Sequence, residues 1–89
     1  MSTQRKEQYD TFLLETLERG IVVYNDDFNT FDHVIETFVQ VLKHSSEQAE
    51  QCATLIHYKG KCKVKQGPYE VLEPLCTAIL ERGISAEIH

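Results

Sequence analysis

The apolar residues of this chain recur at spacings that change along its length and predict its secondary structure. A continuous β-branched and aromatic run at 21–24 is short enough for a strand buried on both faces. Apolar positions 31, 34, 35, 38 and 42 then follow the period of an amphipathic helix, which should extend to about Lys43 with Asn29 or Thr30 as its cap.

The middle of the chain predicts a second helix and a second strand. Ser45 and Gln48 have the spacing of a capping box, and the helix that they begin should end near Tyr58, before Gly60. Lysine occupies every second position of 61–65, a pattern typical of an edge strand with one wet face. Gln66 and Gly67 are then expected to form a turn.

The last part of the chain predicts a third helix and a closing strand. Apolar residues keep a helical period from Pro68 to Gly83, although Pro74 should either kink this helix or begin its regular part. Alternation at 84–88 predicts the strand. The order β-α-α-β-α-β implies an α+β domain with three helices packed on a small, three-stranded antiparallel sheet.

The length of 89 residues allows one small domain. We expect a core domain at 20–89 and an amino-terminal extension at 1–19, whose order the sequence leaves open. Apolar positions 9, 12, 13, 14 and 17 would place a narrow apolar stripe on one side of a helix in that extension.

The net charge of the chain indicates which kinds of partner it can attract. Nine Lys and Arg against fourteen Asp and Glu give a net charge of −5, which repels phosphate backbones and favours cationic or amino-bearing partners over nucleic acid. No apolar run is long enough to cross a bilayer, and the amino end lacks the apolar core of a signal peptide. We therefore expect a cytoplasmic protein without a membrane partner.

The residues that could carry chemistry are few. The three cysteines form no C-x-x-C pair, so we expect them reduced and mostly buried, with no metal or cofactor. The polar cluster at 25–30 is typical of a turn and helix cap, and it fails as a calcium loop because Phe31 takes a ligand position. His57 could pair with Asp26 or Asp27 to activate a cysteine, but no spacing requires it. We expect no enzyme and no catalytic residue.

Two segments at a fixed separation change this picture. They are Val22-Val23-Tyr24-Asn25-Asp26-Asp27-Phe28-Asn29-Thr30-Phe31 and Leu55-Ile56-His57-Tyr58-Lys59-Gly60-Lys61. In order and separation they resemble the ClpS family, the bacterial adaptors of Clp proteases. The resemblance extends from about Ile21 to Ile88, and the closing segment is similar to the shorter tail of the branch found in Bacteroidetes.

The resemblance implies recognition of proteins by their first residue. ClpS proteins hold N-degron substrates, which begin with Leu, Phe, Tyr or Trp, and deliver them to a ClpA- or ClpC-type AAA+ unfoldase for degradation by ClpP. The implied partners are such substrates and the amino-terminal domain of the unfoldase, and a monomer is the family expectation. The alternative is a regulatory domain that docks on the unfoldase without reading amino termini.

The resemblance also assigns polar residues of the site. Asn25 and His57 bind the substrate α-amino group, and Asp26 assists directly or through water. Asp27 and Asn29, the latter at a position where Thr is common, border the start of the substrate backbone. A charged amino group with three N–H donors requires such acceptors when it leaves water.

The remaining implied roles concern the side-chain pocket and docking. Phe31 matches the gatekeeper, and Ala53 stands where a larger Met is common, so we expect a deeper pocket that favours aromatic residues. Ile84 or Ala86 could form the carboxyl-terminal wall. Glu70 matches an unfoldase contact, whereas Leu75 replaces a Lys used for docking. The pocket positions are Val23, Phe31, Val34, Ala53 and Ile56.

Overall fold

A computed structural model of the protein describes residues 18–89. Its elements are β1 (Glu18–Tyr24), α1 (Phe31–Leu42), α2 (Ser46–Lys59), β2 (Lys61–Pro68), α3 (Tyr69–Glu81) and β3 (Ala86–Ile88). The predicted order and the α+β class are confirmed. The apolar stripe predicted in the extension lies outside the described residues, and the boundary at 19/20 stays a prediction.

The sheet has the order β2-β1-β3, with both pairs antiparallel. On the central strand, Ile21 and Val23 are buried, while Val22 and Tyr24 are half-buried. The prediction that this run is buried on both faces is therefore wrong. The physical reason is that Ile21 and Val23 pack into one core with side chains of the helices, whereas the alternate residues lie on the opposite face.

Strand β2 is longer than predicted, and its exposed and buried residues do not alternate regularly. The expected turn at Gln66 and Gly67 is wrong, because both residues pair with the first residues of β1 and the strand continues to Pro68. A register shift places Val64 as an extra residue opposite β1, and it is buried in the core. Because of this bulge, the lysines do not all lie on one exposed face of the strand: Lys61 and Lys63 are exposed, whereas Lys65 is half-buried.

The helix ends follow the predicted capping chemistry. The Oγ1 of Thr30, rather than the side chain of Asn29, accepts from the His33 amide at 3.1 Å. Ser45 caps α2 in the same way, with its Oγ 3.1 Å from the Gln48 amide. Helix α2 ends at Gly60, whose φ of 88° is left-handed and therefore favours glycine.

Helix α3 begins at Tyr69 and continues through Pro74. Of the two outcomes expected for Pro74, a regular helix that begins there is wrong. Pro68 precedes the helix as its N-cap instead of forming its first residue. The closing strand is shorter than predicted, because Ile84 lies before β3.

The core lies between the sheet and the helices. Its largest fully buried side chains include Phe38 from α1, Ile21 from β1, and Leu72 and Ile79 from α3. Cys76 is buried, while Cys52 and Cys62 are half-buried, and all three thiols are free. The core thus fixes the end of β1 and the two helices that frame the loop between β1 and α1.

Candidate functional site

An open cavity of about 650 Å³ lies where the loop at 25–30 meets the start of α1 and the second half of α2. Of the predicted binding residues, Val23, Glu70 and the two suggested wall residues Ile84 and Ala86 do not line it, and all the others do. The predicted acceptors and the predicted apolar wall thus come together at one place. The lining residues are Asn25, Asp26, Asp27, Asn29, Phe31, Val34, Ala53, Thr54, Ile56, His57 and Tyr58.

A backbone hydrogen bond joins the two segments that supply the acceptors. The amide of Asn25 donates to the carbonyl oxygen of Gly60 at 2.8 Å. Gly60 closes α2 three residues after His57, so this bond holds the first residue of the loop beside the carboxyl end of that helix. Two residues far apart in sequence therefore face the same cavity.

The Asp26 carboxylate orders the loop. Its Oδ1 accepts from the amides of Phe28 at 3.0 Å and Asn29 at 2.8 Å, and its Oδ2 accepts from the Asn29 Nδ2 at 2.7 Å. The bond from the Asn29 amide is the largest of the effects that lower the pKa of Asp26, and partial desolvation opposes them. Asp26 is therefore ionised at neutral pH and keeps a negative charge at the cavity.

The loop is also tied to the turn that follows α3. The Asn29 Nδ2 donates to the Gly83 carbonyl oxygen at 2.9 Å. The His33 Nε2 lies 2.9 Å from the Arg82 carbonyl oxygen, to which it donates. The turn at Arg82 and Gly83, which is distant in sequence, thus holds the end of the loop and the start of α1.

Asn25 and His57 keep their acceptor atoms open. Both side chains are exposed, and within residues 18–89 neither makes a side-chain hydrogen bond. The His57 ring packs edge-on against Tyr58, with 5.1 Å between the ring centroids. Asp27 is also exposed and adds a second carboxylate at the cavity.

The apolar side of the cavity comes from both helices. Ala53 and Ile56 are buried on α2, Val34 is half-buried on α1, and Phe31 at the start of α1 keeps 44% of its surface exposed. Because the Ala53 side chain ends at Cβ, the wall recedes at this position. Phe31 lies at the cavity, where a bound side chain could contact its aromatic ring.

Val23 is the predicted pocket residue that the structure does not bring to the cavity. It is only 1% exposed and belongs to the core, because it lies on the buried face of the central strand. Ile84 and Ala86, the two suggested wall residues, are likewise buried in the core and do not line the cavity.

Two lining residues were missed by the sequence analysis. Thr54 and Tyr58 lie on α2, three residues before and one residue after His57. Tyr58 is 81% exposed. A helical projection centred on His57 would have found Thr54, because residues three and four apart share a helix side.

The predicted docking residue lies apart from the cavity. Glu70 is exposed in the first turn of α3, between Tyr69 and Val71, whose apolar side chains are about half exposed. Leu75 is half-buried and packs against the core. The beginning of α3 therefore presents an acidic residue with apolar neighbours.

Two features are absent from the described part of the chain. Residues 18–89 contain no group of three or more His, Cys, Asp or Glu side chains that could hold a metal ion. Within the same residues, no helix has both the length and the apolar character needed to cross a membrane.

Sequence similarity to known proteins points to one family. Residues 18–87 match the family model described as ATP-dependent Clp protease adaptor protein ClpS. The ClpS adapter of Thermosynechococcus vestitus is 33% identical over 66 residues, which are 73% of this chain and 70% of that protein. The ClpS adapter of a Nostoc species is 39% identical over 54 residues, 60% of this chain and 56% of that protein.

A solved structure with the same fold agrees. Agrobacterium tumefaciens ClpS2 bound to L-phenylalaninamide superposes with a TM-score of 0.70, covering 81% of this chain and 96% of the other. At 18% sequence identity this likeness concerns the fold alone. With the family model matched over nearly all the described residues, the chain belongs to the ClpS family, whose members are adaptors of the Clp protease and not enzymes.

Proposed function

We propose that this protein binds polypeptides by a free amino terminus followed by a large apolar side chain, namely Leu, Phe, Tyr or Trp. It then delivers them to a ClpA- or ClpC-type unfoldase for degradation by ClpP. The observation that carries the proposal is one cavity with open acceptors beside an apolar wall. The ligand named for Agrobacterium tumefaciens ClpS2, an aromatic amino acid amide with a free amino group, has the same two chemical features.

The polar half of the cavity suits a charged amino group. The side-chain oxygen of Asn25 and a ring nitrogen of His57 can each accept one of its N–H bonds. The Asp26 carboxylate adds a favourable charge while it orders the loop. An internal peptide group offers one donor and no charge, so the same acceptors would stay partly unpaired and internal residues would be rejected.

The apolar half suits the first side chain. Burying a Leu or Phe side chain against Val34, Ala53 and Ile56 should contribute about 1.5 to 3 kcal/mol. The space left by Ala53 favours aromatic rings over Leu. Phe31 at the start of α1 would cover the bound side chain.

Delivery requires a second surface, for which we propose the beginning of α3. Glu70 and the exposed apolar side chains of Tyr69 and Val71 lie outside the cavity, so substrate and unfoldase could be held together. The cytoplasmic location and the monomeric state stay predictions. A domain that docks on the unfoldase without reading amino termini is the competing outcome of the test below.

The direct test is a fluorescence-anisotropy titration with labelled peptides that differ only at their first residue. Peptides that begin with Phe or Leu should bind, whereas an amino-acetylated Phe peptide and a peptide that begins with Ala should not. Equal binding of all four peptides, or no binding of any, would reject the degron function. The unfoldase-docking domain would then be the function to pursue, by measuring binding of an isolated ClpA or ClpC amino-terminal domain.

A further inference from the structure

Both side-chain donors of Asn29 are used within the protein. Its Nδ2 carries two hydrogens, and it has two acceptors: the Asp26 Oδ2 at 2.7 Å and the Gly83 carbonyl oxygen at 2.9 Å. Neither donor is therefore left for a bound peptide. The role implied by the resemblance, in which Asn29 borders the substrate backbone, stays a prediction, and these two contacts of its Nδ2 indicate a second task for the same side chain.

The two acceptors belong to different parts of the fold. Asp26 is in the loop that follows β1, and its other oxygen already fixes the amides of Phe28 and Asn29. Gly83 is in the turn between α3 and β3, where its φ of 82° is left-handed. The Asn29 amide thus joins an ordered loop to a turn whose backbone shape requires glycine.

A second contact supports the same junction. His33, one turn into α1, donates from its Nε2 to the carbonyl oxygen of Arg82 at 2.9 Å. Adjacent carbonyl groups of one turn therefore accept from two side chains that flank the start of α1. Together they fix the turn relative to both the loop and the helix.

We infer that Asn29 is a positioning residue, which clamps the loop at 25–30 to the turn at Arg82 and Gly83 and so holds Asn25 in place for the substrate amino group. This inference rests on the proposed function. Asn25 is the first residue of the loop, and among residues 18–89 its one hydrogen bond is the backbone bond to Gly60. Its side chain consequently takes its direction from how the rest of the loop is held.

The number of side-chain donors at position 29 gives a graded test. Asn supplies two, Asn29→Thr supplies one hydroxyl that can serve only one acceptor, and Asn29→Ala supplies none. Binding of a peptide that begins with Phe should weaken on the order of tenfold in Asn29→Ala, as expected for the loss of one charge-assisted bond and one bond to a neutral carbonyl, with Asn29→Thr between. The matched control is Gln40→Ala, which removes another amide that donates to a carboxylate, that of Glu36 at 3.1 Å, on the exposed side of α1.

Amide hydrogen exchange separates positioning from a general loss of structure. In Asn29→Ala, exchange of the backbone amides of Phe28 and of position 29 should accelerate, because the Asp26 carboxylate that accepts from them is no longer held. Exchange at Ile21 and Val23 in β1 should stay at the wild-type rate. Gly83→Ala provides a second variant: its Cβ meets open space, so it alters the turn's backbone without filling the cavity, and it should weaken binding likewise.

The inference is overturned if Asn29→Ala binds the Phe peptide as tightly as the wild type, or if Asn29→Thr retains full affinity. It is also overturned if the loss of affinity comes with faster exchange throughout β1, which would show a merely structural role. Failure of the proposed function would look different, because the wild type itself would then bind the free and the acetylated peptide alike.

Discussion

Polar residues of the cavity divide into those that face outward and those that hold the loop. Asn25 and His57 leave their acceptors open, whereas Asp26 and Asn29 direct their side chains at other groups of the protein. Neighbouring polar residues of the loop at 25–30 therefore have different roles. Substitutions at the first pair should change binding with little effect on folding.

We predict that Asn25→Ala and His57→Ala each weaken binding of a Phe peptide by about 10- to 100-fold, since each removes one hydrogen bond to a charged group. Urea unfolding should keep its wild-type midpoint, because neither side chain has a hydrogen-bond partner within residues 18–89. Gln48→Ala, on the exposed first turn of α2, is the control. Wild-type affinity in both cavity variants would remove these residues from the site.

Ala53 sets the depth of the apolar wall. We predict that Ala53→Met fills part of the cavity and weakens binding of peptides that begin with Phe or Trp more than those that begin with Leu, because the aromatic rings need more space. Competition titrations with the three peptides measure this ranking. Gln48→Met places the same side chain on the solvent face of α2 as a control. An unchanged ranking would mean that the ring does not reach Ala53.

His44 should make folding stability depend on pH. Its Nε2 donates to the Val64 carbonyl oxygen at 2.8 Å, while its buried Nδ1 has no hydrogen-bond partner in the described part of the chain. Desolvation is the main cause of a lowered pKa for His44, with the Lys65 charge acting in the same direction and the Val64 bond opposing. As the pH falls below the ordinary histidine pKa of about 6.5, His44 therefore becomes protonated in the unfolded chain before it does so in the folded protein.

The sign of this effect gives the prediction. Stability should be fully present above about pH 6.5 and should fall as the pH decreases, until the folded protein also becomes protonated. His44→Gln keeps a donor for Val64 but does not titrate, so its urea midpoint should change less between pH 7 and pH 5 than that of the wild type. Identical slopes for both proteins would contradict this role.

At the scale of elements, the two capped helices offer a matched pair. Thr30 and Ser45 each accept one amide hydrogen at 3.1 Å, so Thr30→Ala and Ser45→Ala should each destabilise the protein by about 1 kcal/mol in urea unfolding. Only Thr30 lies beside the cavity, between Asn29 and Phe31. Thr30→Ala should therefore also weaken peptide binding, and Ser45→Ala should not. Equal losses of affinity would show that binding follows global stability.

Elements whose signals are local were predicted well. The caps at Thr30 and Ser45 and the left-handed end at Gly60 depend on residues a few positions apart. The wrong predictions concerned residues whose structure depends on distant partners. Gln66 and Gly67 have the sequence of a turn but pair with β1 as part of a strand, and the bulge at Val64 is set by the register of the same two strands. Local spacing contains no information on such pairing.

At the scale of the whole molecule, the cavity is assembled from three segments. The acceptors Asn25 and His57 meet because Asn25 bonds to Gly60, a contact that no local pattern predicts. The resemblance named most of the lining residues, since a family motif includes such contacts implicitly. It also named Val23, which the central position of β1 buries, and it gave no indication that Gly83 would accept from the loop at 25–30.

Because this assembly exists only in the folded chain, ligand binding should stabilise the whole domain. A free Phe peptide at 100 times its Kd should add about 2.7 kcal/mol by mass action. For a domain of this size that corresponds to a rise in thermal midpoint of more than about 10 °C. Differential scanning fluorimetry should show this rise with the free peptide, none with its acetylated twin, and a reduced one for Asn25→Ala. An equal rise with the acetylated peptide would mean that the apolar wall alone drives binding and that the acceptors at Asn25 and His57 do not read the amino group.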